Sequence, residues 1–191
     1  HPKVALFANR AFYGGHLRPV GLPHQTESSE QISRLAFYPS QPEKAGGSAK
    51  INYSEARIVA RLAAQIYDSH RTDFDDSRTL GVITPYRSQI ALIKKEIEAL
   101  GIPALNRILV DTVERFQGSE RDVIIYSCCI NSYYQLKFVS NLTEENGVLI
   151  DRKLNVALTR ARKQMFVTGV PKYLKSNPLY ESLLNLIETQ G

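Results

Sequence analysis

Three polar segments of this sequence carry residue types suited to chemistry on phosphates. They are Thr84-Pro85-Tyr86-Arg87-Ser88-Gln89, the stretch from Asp111-Thr112 to Ser119-Glu120, and the stretch from Asp151-Arg152-Lys153 to Arg160-Ala161-Arg162. Hydroxyls, backbone N–H groups and helix starts suit the phosphates of a nucleic-acid strand. An arginine suits the charge that develops on a phosphoryl group in transfer. Each segment also has a plainer role. Thr84 can cap a helix, Gln117-Gly118 can be a turn before a strand, and Arg160 and Arg162 can be solvated helix charges. Taken singly, none decides.

The elements that must position these segments follow from the apolar pattern. Val4 to Tyr13 has helical spacing and ends at Gly14-Gly15. From about residue 16 to residue 50 the chain is rich in Pro, Ser, Gln and Gly around one apolar island, Leu35 to Tyr38, which predicts loops about a short strand. Asn52 and Glu55 form a cap pair for a helix carrying Ile58, Val59, Leu62, Ala63 and Ile66. Leu80–Ile83 predicts a strand, with Thr84-Pro85 opening a helix that buries Ile90, Ile93 and Ile97. Ile108–Val110, Asp122–Ile130 and Met165–Val170 predict further strands. A helix from Asp151, with Leu154, Ala157, Leu158 and Ala161 on its apolar side, precedes the last strand, and Asn177-Pro178 caps a C-terminal helix. Continuously apolar strands alternating with helices predict an α/β, doubly wound, mostly parallel sheet covered on both faces. In such a sheet ligands bind beyond the strands' carboxyl ends, and the three polar segments are expected to cluster there.

The 191 residues fit one domain, carry a net charge of +5 and are 43% hydrophobic. The charge favours a polyanionic partner without proving one. No apolar run reaches the roughly 20 residues of a membrane-spanning helix, so no membrane partner is expected. Cys128 and Cys129 are adjacent in an apolar run, a spacing that strains a disulfide between them. Buried, reduced thiols in a cytoplasmic (or, in a eukaryote, nuclear) protein are expected. His16, His24 and His70 show no ligand spacing, so no metal site is expected in this chain. The chain opens on His1-Pro2-Lys3-Val4, without Met or a signal pattern, and reads as starting inside a longer protein.

In this order and spacing, the three segments closely resemble motifs IV, V and VI of superfamily 1 helicases. The nearest group contains the nonsense-mediated-decay helicase, senataxin-type helicases and bacterial helicase–nuclease-like proteins. The resemblance is carried by Val110-Asp111-Thr112-Val113, Phe116-Gln117-Gly118-Ser119-Glu120, Asp122-Val123-Ile124 and the run from Arg152 to Arg162. Phe12-Tyr13-Gly14-Gly15, Asn52 to Ala56 and Asn177-Pro178 also fit, so it covers nearly the whole chain. It implies that residues 1–191 are the second, C-terminal RecA-like (P-loop NTPase-type) helicase domain, with 16–50 as its loop-rich segment. It further implies Arg160 as the arginine that reaches the γ-phosphate, with Glu120 and Gly118 beside the nucleotide. Thr84, Tyr86, Thr112 and Gln117 are implied as contacts to single-stranded DNA or RNA. The helical spacing expected for Arg160 and Arg162 places them on different faces, so only one would meet the cleft.

No G-x-x-x-x-G-K-[ST] string is present, and Gly46-Gly47-Ser48-Ala49-Lys50 has the wrong spacing. Asp73, Asp75 and Asp76 precede a strand, where a magnesium-holding pair would end one. The resemblance therefore implies that ATP and Mg²⁺ act in a longer parent, whose N-terminal RecA-like domain is the partner and holds the metal ligands. The expected function is the C-terminal half of an ATP-dependent, 5′→3′ helicase or translocase, inactive alone as an ATPase. The alternative is a nucleic-acid-binding module with no ATPase role, against which Arg160 and Glu120 count.

Overall fold

The computed structural model describes residues 34–43, 50–139, 142–145 and 148–190, with side chains omitted for 138–150 and 190. The expected helix at Val4 to Tyr13, with Gly14, Gly15, His16 and His24, lies outside them. Five strands form a parallel sheet: β1 (Leu35–Pro39), β2 (Leu80–Ile83), β3 (Leu109–Asp111), β4 (Arg121–Ser127) and β7 (Ala161–Gly169). Their order across the sheet is β1-β7-β4-β2-β3. A separate antiparallel hairpin, β5 (Leu142–Glu145) with β6 (Val148–Asp151), precedes the last strand. The helices are α1 (Tyr53–Ser69), α2 (Arg87–Glu98), α3 (Tyr133–Val139), α4 (Arg152–Thr159), α5 (Pro171–Leu174) and α6 (Pro178–Gln190).

Alternation along the strands splits the core between two faces. Val123 and Ile125 of β4, Leu80 and Val82 of β2 and Phe166 of β7 pack against Ala56, Val59, Leu62, Ala63 and Ile66 of α1 and Ile93 and Ile97 of α2. Ile124, Tyr126, Met165 and Val167 face the other way, onto Leu154, Ala157 and Leu158 of α4 and Leu183, Leu184 and Ile187 of α6. A strand buried on both faces must be apolar at every position, and that is why the strands read as unbroken apolar runs.

Helix starts follow local chemistry. The Glu55 N–H donates to Asn52 Oδ1 at 2.8 Å, which opens α1. Asp151 Oδ1 accepts from the N–H groups of Lys153 (2.9 Å) and Leu154 (3.2 Å) and opens α4. Asn177 Oδ1 accepts from the Leu179 N–H at 2.9 Å at the start of α6.

Three expectations need correction. Thr84 does not cap α2, whose N-cap is Tyr86. The Thr84 N–H donates to Asp111 O at 3.2 Å, continuing the pairing of β2 with β3, and its side chain is fully buried. β4 stops at Ser127 rather than at Ile130, because Cys129 turns to φ 51° and aims its N–H at Glu55 Oε2, 2.8 Å away. The helix α4 ends at Thr159, so Ala161 and Arg162 belong to β7, where Ala161 pairs with Arg121.

Candidate nucleotide and nucleic-acid edges

The sheet is parallel, so its two ends are chemically distinct, and the candidate residues divide between them. Thr84 and Tyr86 follow β2 and Thr112 follows β3, at the carboxyl edge. Gln117, Gly118 and Glu120 lead into β4, and Arg160 leads into β7, at the amino edge. The expected clustering of all three segments at the carboxyl ends is therefore corrected. Gln117 does not join Thr84, Tyr86 and Thr112. The cause is the shape of residues 112–120, which leave the end of β3 and must reach the start of β4, its parallel neighbour but one. A short turn of 3-10 helix, Val113–Phe116, makes that return, and Gly118 at φ +82° takes the left-handed conformation that ends it.

At the amino edge, Arg160 is the residue after α4. Its carbonyl accepts from the Arg121 N–H at 3.0 Å, which brings Arg160 beside the residue that follows Glu120. Its guanidinium makes one hydrogen bond, from Nη2 to Thr159 Oγ1 at 3.3 Å, and Nε is buried without a partner among the described residues. Arg162 differs. It lies in β7, with Nε 4.0 Å from Glu120 Oε2 and 3.9 Å from Asp122 Oδ1. Lys163 Nζ also reaches Asp122, at 2.9 Å. The helical spacing expected to separate Arg160 from Arg162 does not apply, since Arg162 is in a strand. What separates them is charge compensation: carboxylates face Arg162, and none of the described carboxylates pairs with Arg160.

At the carboxyl edge a buried polar network stands where β1, β4 and the start of α1 meet. Glu55 is fully buried. Its carboxylate accepts from Ser127 Oγ at 2.7 Å, the Cys129 N–H at 2.8 Å and Ser40 Oγ at 3.4 Å. Burial pushes its carboxyl up to about 7, against the lowering effect of those three donors. Gln89 of α2 accepts from the Asn52 N–H at 2.8 Å and donates to Asn52 O at 3.1 Å. Asn52 Nδ2 donates to Asn131 Oδ1 at 2.8 Å, and the Asn131 N–H donates to Gln135 Oε1 at 2.9 Å. Gln135 Nε2 then donates to the Tyr86 hydroxyl at 2.9 Å.

That chain fixes one of the expected contacts. Tyr86 is half-buried with its hydroxyl held by Gln135, and burial raises its phenol. The Thr84 Oγ1 is buried and has no partner among the described residues, so it does not point to solvent. Thr112 is half-buried, and its N–H donates to Asp111 Oδ1 at 2.8 Å. Arg87 and Ser88, at the open start of α2, are exposed and carry no capping bond from the Tyr86 side chain. Sequence reasoning missed the Glu55 network, whose signal was a Glu inside an apolar helix face. It also missed α3, with exposed Tyr133 and Tyr134 at its start, six and seven residues past the end of β4.

The AAA domain family (AAA_12) matches residues 1–172. The chain is 32% identical over 196 residues to Regulator of nonsense transcripts 1 of Dictyostelium discoideum, covering 97% of the chain and 14% of that protein. It is 28% identical to Helicase sen1 of Schizosaccharomyces pombe, over 97% of the chain and 11% of that protein. It is 28% identical to the 5′-3′ DNA helicase ZGRF1 of Mus musculus, over 98% of the chain and 10% of that protein. Among solved structures, the C-terminal domain of a possible DNA helicase from Lactobacillus plantarum WCFS1 aligns with a TM-score of 0.48 at 16% identity, over 88% of this chain and 84% of that one. The chain belongs to the AAA domain family and is a RecA-like domain of the superfamily 1 group that includes nonsense-mediated-decay and senataxin-like helicases. It spans less than a quarter of the length of the curated relatives named here.

Proposed function

We propose that this chain is the C-terminal motor half of an ATP-dependent nucleic-acid helicase or translocase, working 5′→3′, and that Arg160 is its contribution to the ATP cleft. One observation carries the reading. Among the described residues Arg160, directly beside Arg121, the residue that follows Glu120, has no carboxylate partner, and its buried Nε donates to none of them. An uncompensated, partly desolvated cation is unfavourable in the isolated domain and becomes favourable once an anion arrives. A γ-phosphate brought by the N-terminal RecA-like domain of the parent is such an anion, and charge developing in transfer strengthens the contact. Glu120 and Gly118 then border the nucleotide, while Arg162 holds Glu120 in place.

The carboxyl edge is proposed to carry the single strand, DNA or RNA. The uncapped start of α2 offers N–H groups to a phosphate, with Arg87 and Ser88 exposed beside it and Thr112 one strand away. Thr84 contributes backbone shape rather than its hydroxyl, and Tyr86 packs rather than stacks. The 5′→3′ direction rests on relatives such as the ZGRF1 helicase named above. Magnesium ligands are assigned to the N-terminal RecA-like domain of the parent, as the helicase resemblance implies.

The test is steady-state ATPase of the full-length parent with and without oligonucleotide. Arg160→Ala is expected to cut turnover by about 10³- to 10⁵-fold while nucleotide binding and fold persist. Arg162→Ala is expected to weaken the domain's stability more than its turnover. The isolated chain is expected to hydrolyse no ATP. Wild-type turnover in Arg160→Ala would refute the assignment.

A further inference from the structure

The carboxyl edge carries exposed aromatic surface that takes no part in the ATP cleft or the phosphate contacts. Tyr133 and Tyr134 open α3, six and seven residues past the end of β4, and are 57% and 70% exposed. Tyr173 of α5, just past the end of β7, meets Tyr133 edge to face with ring centroids 4.9 Å apart. Lys172 Nζ lies 4.8 Å from the centre of the Tyr173 ring. α3 and α5 contain no acidic residue and supply Lys137 and Lys172. Single exposed aromatics are ordinary on soluble proteins, but two consecutive ones, of which Tyr133 touches a third ring under a cation, form a patch.

The patch is rigidly seated. Gln135, two residues after Tyr133, is buried. Its side chain joins the Asn131 N–H (2.9 Å), Cys129 O (3.1 Å) and the Tyr86 hydroxyl (2.9 Å). Its own N–H donates to Ser132 Oγ at 3.3 Å. The first turn of α3 is thus bolted to the start of α2, so the rings are held ready in the absence of any ligand. Such seating lowers the ordering cost when a flat ligand arrives.

We propose that Tyr133, braced by Tyr173, and the adjacent Tyr134 are a stacking platform for bases of a single nucleic-acid strand, with Lys172 beside it. This rests on the strand lying along the carboxyl edge. The loops after β3, β2, β4 and β7 stand side by side, and with strands about 4.8 Å apart they span about 14 Å. Thr112, the start of α2 and the tyrosine platform form one row, phosphate contacts on one side and aromatic faces on the other. Lys172 supplies positive charge for the backbone of the stacked nucleotide. Stacking on a tyrosine reads no base identity, so the platform is expected to bind oligo-dT and oligo-U alike.

The experiment is fluorescence-anisotropy titration of the 191-residue chain with labelled oligo-dT and oligo-U over a series of salt concentrations, with circular dichroism as the folding control. Tyr134→Ala and Tyr133→Ala are each expected to weaken binding by about 5-fold or more. Tyr134→Phe and Tyr133→Phe are expected to stay near wild type, because the ring and not the hydroxyl stacks. Neither change should alter the salt slope, whereas Lys172→Gln should lower it. If folded alanine variants bind as tightly as wild type while Thr112→Ala weakens binding, the platform is refuted and the strand edge stands; a protein-facing patch is then the remaining occupant. If the wild-type chain binds neither oligonucleotide, the strand edge falls and the platform with it.

Discussion

Glu55 makes the folded domain less stable as pH rises from 4.5 through about 7, and Glu55→Gln is expected to abolish that effect. The carboxyl is buried and its pKa rises from 4.5 to about 7. The folded state therefore holds this proton more tightly than the unfolded chain does. Between pH 4.5 and about 7 the unfolded chain binds fewer protons, so the contribution is fully present below 4.5 and is lost as pH rises through 7. Each tenfold difference in proton affinity between the two states is worth about 1.4 kcal/mol, so the loss across the window is on the order of 3 kcal/mol. Glutamine keeps the volume and accepts through its carbonyl from Ser127 Oγ and the Cys129 N–H, while its amide can donate toward Ser40 Oγ. Urea unfolding followed by far-ultraviolet circular dichroism, run for both proteins across that pH range, isolates Glu55 from every other titrating group by difference. The stability of Glu55→Gln relative to wild type should rise by about 3 kcal/mol from the acid to the alkaline limb. A pH-independent difference would refute the argument, because it would mean that this carboxyl does not titrate between the two limits.

Two further perturbations follow from packing. A Cβ added at Gly81 would lie 2.7 Å from Phe116 Cε1 and 3.0 Å from Arg121 Cγ, so Gly81→Ala should cost about 1–3 kcal/mol in urea unfolding. An unchanged midpoint would show that Phe116 moves aside freely. Cys128 and Cys129 are buried, and burial pushes the Cys128 thiol well above its ordinary range. A thiol reagent at neutral pH should therefore label both only at the rate of unfolding, and rapid labelling of the native chain would contradict the packing.

Element types were legible because the strands are buried on both faces and the helices carry their own caps. Asn52, Asp151 and Asn177 each cap the helix that their side-chain chemistry announces. The end of α4 was not legible. Ala161 continues the helical apolar spacing of Leu154, Ala157 and Leu158, and only its pairing with Arg121 across the sheet makes it a strand residue. Thr84-Pro85 looks like a cap by composition, but the ladder to Asp111 holds Thr84 in the sheet, a tertiary contact that no local pattern contains. The hairpin from Leu142 to Asp151 and the helix α3 went unread because that stretch has neither sustained alternation nor a run long enough to show a helical face. Site residues were legible as types. Their division between two ends of the sheet went unread because α4 was extended through Ala161; in a parallel sheet Gln117, Gly118 and Glu120, which precede β4, and Arg160, which precedes β7, lie at the amino ends.

That division also explains how two distant edges can act as one body. Residues 112–120 run alongside the whole of β2, from the carboxyl end of β3 to the amino end of β4. Midway, Phe116 is fully buried on Gly81, and Arg121 stands over its ring at 5.9 Å. The helix α4 packs beside the same segment. Lys153 near its start reaches Glu114 at 3.5 Å, and the carbonyl of Arg160 at its end accepts from the Arg121 N–H at 3.0 Å. The segment and the helix are thus joined near both ends, with a fully buried ring between them. A packed core has discrete arrangements rather than continuous ones, so a change at Phe116 is expected to be felt at both Thr112 and Arg160. Phe116→Ala, at a residue that belongs to neither edge, is therefore expected to weaken both strand binding and turnover in the full-length parent, and loss of only one would refute this coupling.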